Sequence, residues 1–297
     1  MVEVYAYLWG KIGDVTRFLN GDKVEGEIRK QSLEEHIKSS LNALEDKIKE
    51  TKIWRYYAGL DNYADELMKL AIVLHDIGKI FYQRNIKTNR KKNEEYLSFL
   101  GHEFISTYLA DSFLSIWLEN NINERYGKYK DIRWIVYGSI LYHHHAMGLR
   151  KRERSEKIKV CKKDEFNKIV ERTCSIIKDY LNGSSNEVQL FSEEIKALRQ
   201  RLRQKKFEGD TKRDTPLFLD RNQLLDIYRY VDELNTEIWR KFVGEDKFRS
   251  KMLLSTNILM LADYMGSEGR GEEKTEFGKI LDESIELYSN KILEKIK

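Results

Sequence analysis

The stretch Ala71-Ile72-Val73-Leu74-His75-Asp76-Ile77-Gly78-Lys79 decides how the rest of the chain is read, because it sets a histidine-aspartate pair and a lysine at the end of an apolar run. Upstream, Leu67, Met68, Leu70, Ala71, Ile72 and Leu74 are apolar nearly all round a helix, so the segment predicts a buried helix rather than a surface one. Gly78 is its expected stop. A buried carboxylate is costly unless it is paired, hydrogen-bonded or bound to a metal, so Asp76 needs partners. Taken by itself, the dipeptide also fits a helix-end aspartate satisfied by backbone amides beside a core histidine.

The dipeptide does not stand by itself. The chain holds six histidines: His36, His75, His102 and the consecutive His143, His144 and His145. A second apolar run, Leu259-Met260-Leu261-Ala262-Asp263-Tyr264-Met265-Gly266, again carries one carboxylate and then a glycine. Imidazole suits borderline first-row metals and carboxylate suits harder ones, so a mixed set points to Mn, Fe, Co, Ni or Zn, with Mg accommodated under a bridging carboxylate. Adjacent helical side chains point about 100° apart, so all three members of the triplet are not expected to face one ion. His143 with His144, or His144 with His145, remain the two pairings.

Composition bounds the class. At 297 residues, 41% apolar and 34% charged, the chain is long enough for one large core and is expected to be a globular cytoplasmic protein. It has no apolar run long enough for a membrane span and no N-terminal pattern of a signal peptide, so no membrane partner is expected. Cys161 and Cys174 cannot form a zinc site by themselves and read as reduced thiols. No Gly-x-x-x-x-Gly-Lys-[Ser/Thr] motif is present, so no ATPase engine is expected.

Along the chain, residues 3 to 9 read as a possible short strand and the segment through Gly21 and Gly26 as loop. Ser32 and Glu35 form a capping box before a stripe of Leu33, Ile37, Leu41, Leu44 and Ile48, with His36 on its flank. Asp61 and Asp131 are candidate caps for the helices ending at His75 and at the triplet. The polar run between Tyr82 and Glu95 reads as a basic loop. His102 and Ser106 share a helical face, so the hydroxyl is placed to support a ligand or a bound water. Leu217 to Val243 and Phe248 to Met265 read as helices, and an amphipathic helix is expected after Gly271.

Charge is distributed unevenly. Residues 150–163 and 196–213 each hold eight Lys or Arg against two acids, so each is net +6 in a chain whose total is +4. Exposed solubilising helices account for such segments, and so does a nucleic-acid backbone, with Arg150, Lys151, Arg152, Arg201 and Arg203 as the contacting cations.

The set His36, His75-Asp76, Lys79, His102, the doubled histidine and Asp263 resembles the HD superfamily of metal-dependent phosphohydrolases. The Gly-His-Glu-x-x-Ser context of His102 is most like the stand-alone HD nuclease of type I CRISPR interference. The resemblance implies an all-α HD-domain helical bundle over residues 1–297, here with a basic helical insert at about 150–215 and a short N-terminal strand. It implies two divalent ions, one on His36, His75, Asp76 and Asp263 and one on Asp76, His102, His143 and His144, with Asp76 bridging. Lys79 is placed to offset phosphate charge, a role equally open to a surface lysine at a helix end. It implies hydrolysis of single-stranded DNA, with a separate superfamily 2 helicase and the RNA-guided surveillance complex as partners. An HD phosphohydrolase acting on nucleotides or cyclic nucleotides, and a non-catalytic HD scaffold, are the alternatives.

Overall fold

In the computed structural model, residues 2–119, 131–144, 157–181, 184–204 and 216–267 are described, together with 279 and 283. The expected tail helix and much of the basic insert lie outside them, as do His145, Arg150, Lys151 and Arg152. The architecture is an α-helical bundle with two small sheets.

At its centre is α4 (Ala64–Leu74), whose Leu67, Met68, Leu70, Ala71, Ile72, Val73 and Leu74 are all buried. Each such Leu or Ile removed from water contributes roughly 1.5–3 kcal/mol, which is why a helix with almost no polar face occupies the middle. Around it pack α2 (Leu33–Asp46), α3 (Lys52–Leu60), α5 (His102–Glu119), α6 (Ile132–Tyr142), α7 (Lys163–Leu181) and α10 (Asp246–Gly266). The α2 capping box forms as read: Ser32 Oγ accepts from Glu35 N–H, and the Glu35 carboxylate accepts from Ser32 N–H at 2.8 Å. α8 (Ser185–Gln204) and α9 (Arg221–Gly244) complete the bundle, and Phe166, Ile169, Phe191, Ile195 and Val231 share one hydrophobic cluster with α4. Among the described residues no helix is long and apolar enough to cross a membrane.

Gly78 does not stop α4. The helix ends at Leu74, and a 3-10 turn, Ile77–Tyr82, runs straight through the glycine. A Cβ on Gly78 would lie 2.4 Å from the His102 carbonyl oxygen, so the glycine serves close approach to α5. Neither proposed cap is a simple N-cap. The Asp61 carboxylate accepts from Tyr63 N–H, one turn ahead of the helix, and pairs with Lys251 at 2.7 Å. Asp131 occupies the N-cap position of α6, but its carboxylate is drawn to Lys241 at 2.8 Å.

The larger departure is a four-stranded antiparallel sheet, ordered β2-β1-β4-β3. It joins β1 (Tyr5–Lys11), β2 (Arg29–Ser32), β3 (Ile86–Asn89) and β4 (Glu94–Leu97). The polar run after Tyr82, expected to be a loop, is therefore a hairpin, turning where Asn93 takes φ 56, a left-handed conformation asparagine tolerates. The segment expected as loop before Ser32 contains β2 and a short helix, α1 (Asp14–Asn20). Glu95 of β4 pins α1 by accepting from Gly13 N–H, Thr16 N–H and the Thr16 hydroxyl. A second, two-stranded ribbon pairs β5 (Ile158–Val160) with β6 (Leu217–Leu219). Leu217 therefore begins a strand, and α9 starts only after its own capping box at Asp220 and Gln223.

Candidate metal centre

Five segments converge. α2 brings His36, the end of α4 brings His75 and Asp76, the start of α5 brings His102, the end of α6 brings His143 and His144, and α10 brings Asp263. The pair sits where α-helix gives way to 3-10: His75 N–H still bonds to Ala71 O at 2.9 Å, while Asp76 adopts φ −108, ψ 2. That bridge conformation is common at active sites. His143 lies at the C-cap of α6, so its successor no longer follows helical spacing and both rings stay near His102.

Two donor groups result: His36, His75, Asp76 and Asp263 form one, and His102, His143 and His144 form the other. In the first, His36 Nε2 lies 3.1 Å from Asp263 Oδ1, 3.3 Å from Asp76 Oδ2 and 3.4 Å from His75 Nε2. His75 Nε2 lies 3.4 Å from Asp76 Oδ2 and 3.6 Å from Asp263 Oδ1. Asp76 also reaches the second group, because its other oxygen, Oδ1, lies 2.9 Å from His102 Nε2. One carboxylate therefore faces both groups, an oxygen to each.

The ring orientations are fixed from behind. His75 Nδ1 bonds to Ile72 O at 2.7 Å, His102 Nδ1 to Phe99 O at 2.7 Å and His143 Nδ1 to Ile140 O at 2.5 Å. In each case Nδ1–H donates to the carbonyl three residues upstream, which leaves the Nε2 lone pair aimed into the site. Buried Asp76 Oδ1, His102 Nε2 and His143 Nε2 make no hydrogen bond within the protein. Such orphaned polar atoms are costly unless something else binds them, and lone-pair donors around a carboxylate fit a divalent cation. Burial opposes ionisation of Asp76 and Asp263, but the neighbouring histidines, and Lys79 for Asp76, outweigh it and hold both carboxyls well below the usual range. Burial also works against charging His75, yet Asp76 and Asp263 prevail and raise its pKa. For His143 burial dominates, reinforced by His75, and the pKa falls to about 3, so this ring is a neutral donor.

The HD domain family model matches residues 48–166, a span that contains His75, Asp76, His102, His143 and His144. The chain carries an HD domain. His36 and Asp263 lie outside the matched span, and only the fold brings them to the HD pair. The CRISPR-associated endonuclease Cas3-HD of Methanocaldococcus jannaschii is 24% identical over 260 residues, covering 85% of this chain and 84% of that protein. No solved structure matches the chain. With the HD match and a donor set that fits a divalent cation, the protein is a metal-dependent hydrolase.

Other expected site residues fall differently in this HD domain. Lys79 does not point outward to meet a phosphate. Its buried ammonium sits 2.5 Å from Asp76 Oδ2 and 3.4 Å from Ala6 O, over the Phe99 ring, where it balances the Asp76 charge. The Ser106 hydroxyl accepts Gly78 N–H at 2.9 Å and so ties the HD turn to α5. The described part of the 196–213 segment is largely engaged. Lys196 pairs with Glu171, Arg201 with Glu194 and the Tyr108 hydroxyl, and Arg199 is buried against Cys161 O. Arg203 is likewise not free. Sequence reasoning passed over Glu103, fully buried with Oε2 3.6 Å from His102 Nδ1, although it directly follows that histidine. It also missed Gln31, whose amide donates to Gly266 O at 2.6 Å and steadies the end of α10 beyond Asp263.

Proposed function

We propose that this HD-domain hydrolase is a nuclease that cuts phosphodiester bonds of single-stranded DNA in CRISPR interference, using two divalent ions. The observation that carries the reading is the Asp76 carboxylate, which turns one oxygen to His36 and His75 and the other to His102. One ion would be held by His36, His75, Asp76 and Asp263, the other by Asp76, His102, His143 and His144. Such ions, Mn, Mg, Ni, Co or Fe, would supply an activated water and charge compensation for displacement at phosphorus.

The chain's own groups set up that chemistry. Lys79, paired with Asp76 Oδ2 at 2.5 Å, helps hold the carboxyl ionised. The three carbonyls behind His75, His102 and His143 fix the donor tautomer. Support for the polymeric substrate comes from the relative named as a CRISPR-associated endonuclease. A separate superfamily 2 helicase and the RNA-guided surveillance complex would deliver the strand, as the resemblance to the stand-alone HD nuclease implies. The test is degradation of a labelled single-stranded oligonucleotide with Mn or Mg added. Cutting that needs the metal and vanishes in Asp76→Ala is the expected result; an Asp76→Ala protein cutting at the wild-type rate overturns the proposal. Turnover of mono- or cyclic nucleotides with the oligonucleotide untouched would instead favour the nucleotide phosphohydrolase, and less than one metal per chain the scaffold.

A further inference from the structure

The four-stranded sheet has two unlike faces. Leu8, Leu97, Val15 and Tyr5 form a small core with Phe18 of α1 on one of them. On the other, a single register row crosses all four strands: Arg29 opposite Trp9, Trp9 opposite Tyr96, and Tyr96 opposite Lys87. Directly opposed residues in antiparallel strands project to the same side, so two aromatic rings lie between two cations. Trp9 and Tyr96 are half-buried and belong to neither hydrophobic core, and the Arg29 guanidinium lies 4.9 Å from the Trp9 ring centre. Arg29 is shared with Glu27 at 2.8 Å. Beyond the row, the β3–β4 turn carries Arg90, Lys91 and Lys92, all exposed.

The face also leads to the metal centre. Two residues before Trp9 on β1, Tyr7 pairs with Gln31, whose amide is bonded to Gly266 O, three residues past Asp263. Next to Tyr7, the Ala6 carbonyl accepts from Lys79, the partner of Asp76. At this end Val4 and Ala6 join the main core, while at the other end the row of Trp9 and Tyr96 stands clear of it. The sheet is thus anchored beside the donor groups and overhangs outward from them.

Every nucleobase has a π-face, and exposed aromatics interleaved with cations bind single strands without regard to sequence. We infer that the Arg29–Trp9–Tyr96–Lys87 face of the sheet is a stacking platform for single-stranded nucleic acid that leads the strand to the metal centre. This rests on the proposed nuclease reading and adds the surface that would distinguish a polymer from a small phosphodiester.

The experiment compares wild type, Trp9→Ala/Tyr96→Ala and Trp9→Phe/Tyr96→Phe in two assays. The first is binding of a fluorescent oligothymidylate in EDTA together with its Mn-dependent cleavage; the second is Mn-dependent hydrolysis of bis-p-nitrophenyl phosphate. The alanine pair should weaken oligonucleotide binding and kcat/KM by about tenfold or more. It should leave hydrolysis of the small diester unchanged, and the phenylalanine pair should restore binding. Oligonucleotide binding equal to wild type in the alanine pair, an equal loss on the small diester, or no oligonucleotide binding by wild type would each overturn the inference. If wild type binds the oligonucleotide and hydrolyses the small diester yet never cuts the strand, the nuclease reading falls while the platform is still judged by binding.

Discussion

Replacing Gly78 by alanine puts one methyl group into the tightest junction of the site. The new Cβ would stand 2.4 Å from the His102 carbonyl oxygen, 2.7 Å from Ser106 N and 2.8 Å from Ser106 Oγ. Carbon against carbonyl oxygen is ordinarily no closer than about 3.3 Å, so the HD turn and α5 would have to part by roughly 0.9 Å. Two of the three obstacles are backbone atoms and cannot rotate away. Overpacking of this kind costs roughly 1–3 kcal/mol. Weakening the 2.9 Å bond from Gly78 N–H to Ser106 Oγ adds about 1 kcal/mol, for a total near 3 kcal/mol. The same displacement separates Asp76 Oδ1 from His102 Nε2, now 2.9 Å apart, whereas metal–ligand distances tolerate only about ±0.2 Å. Urea unfolding in EDTA reads the stability term, and Mn titration reads the second, for which a loss of roughly 10–100-fold is expected. Ser106→Gly should not rescue the variant, because it removes only the side chain and leaves the two backbone obstacles in place. Gly78→Ala unfolding within about 0.5 kcal/mol of wild type, with unaltered Mn affinity, would refute the reasoning.

Four further outcomes follow from the geometry. Gly266→Ala, whose Cβ would meet Ser40 Oγ at 2.0 Å and Ser40 N at 2.9 Å, should push α10 off α2 and lower Mn affinity through Asp263, and unchanged affinity would contradict that coupling. In the metal-free protein the raised pKa of His75 means that its proton persists above the ordinary 6.5, so an entering cation must expel it. Affinity should therefore rise with pH through and beyond 6.5, with proton release measurable by calorimetry in buffers of different ionisation heat; an affinity flat between about pH 6 and 8 would contradict this. The depressed Asp76 and Asp263 carboxyls stabilise the metal-free fold above the ordinary carboxylate pKa of 3.8, and this stability is lost as pH falls through their lower folded values. Asp76→Asn should accordingly flatten the acid limb of the unfolding curve. EDTA should abolish hydrolysis without unfolding the protein, since the core of α4 and its neighbours does not involve the metal, while Mn at 100 times its Kd adds about 2.7 kcal/mol.

The helical frame was legible because its signals are local. The apolar run before His75 has no polar face, and Ser32 with Glu35 marks a helix start within four residues. The donor set was also legible as a set, since an apolar helix that ends in a lone carboxylate announces an unusual need. The sheet was not. β1 finds β4 more than 80 residues downstream, and β3 is a four-residue edge strand with Ile86 as its one apolar residue, too little for alternation to mark it. Lys79 and Ser106 were read by spacing along a helix, but the chain leaves the α-helix at His75, and the 3-10 turn redirects everything after it. The basic segment was counted as charge, whereas Arg199 and Arg201 spend theirs within the protein. Carbonyl oxygens that set the histidine tautomers carry no side-chain signature at all.

Anomalous diffraction from a crystal grown with manganese tests the central claim most directly. Two peaks flanking Asp76 are expected, one among His36, His75 and Asp263 and one among His102, His143 and His144, with an Asp76 oxygen on each. A manganese ion bound away from Asp76, or held by only one of the two groups with His102 and His143 left bare, would contradict the bridging carboxylate on which the account is built.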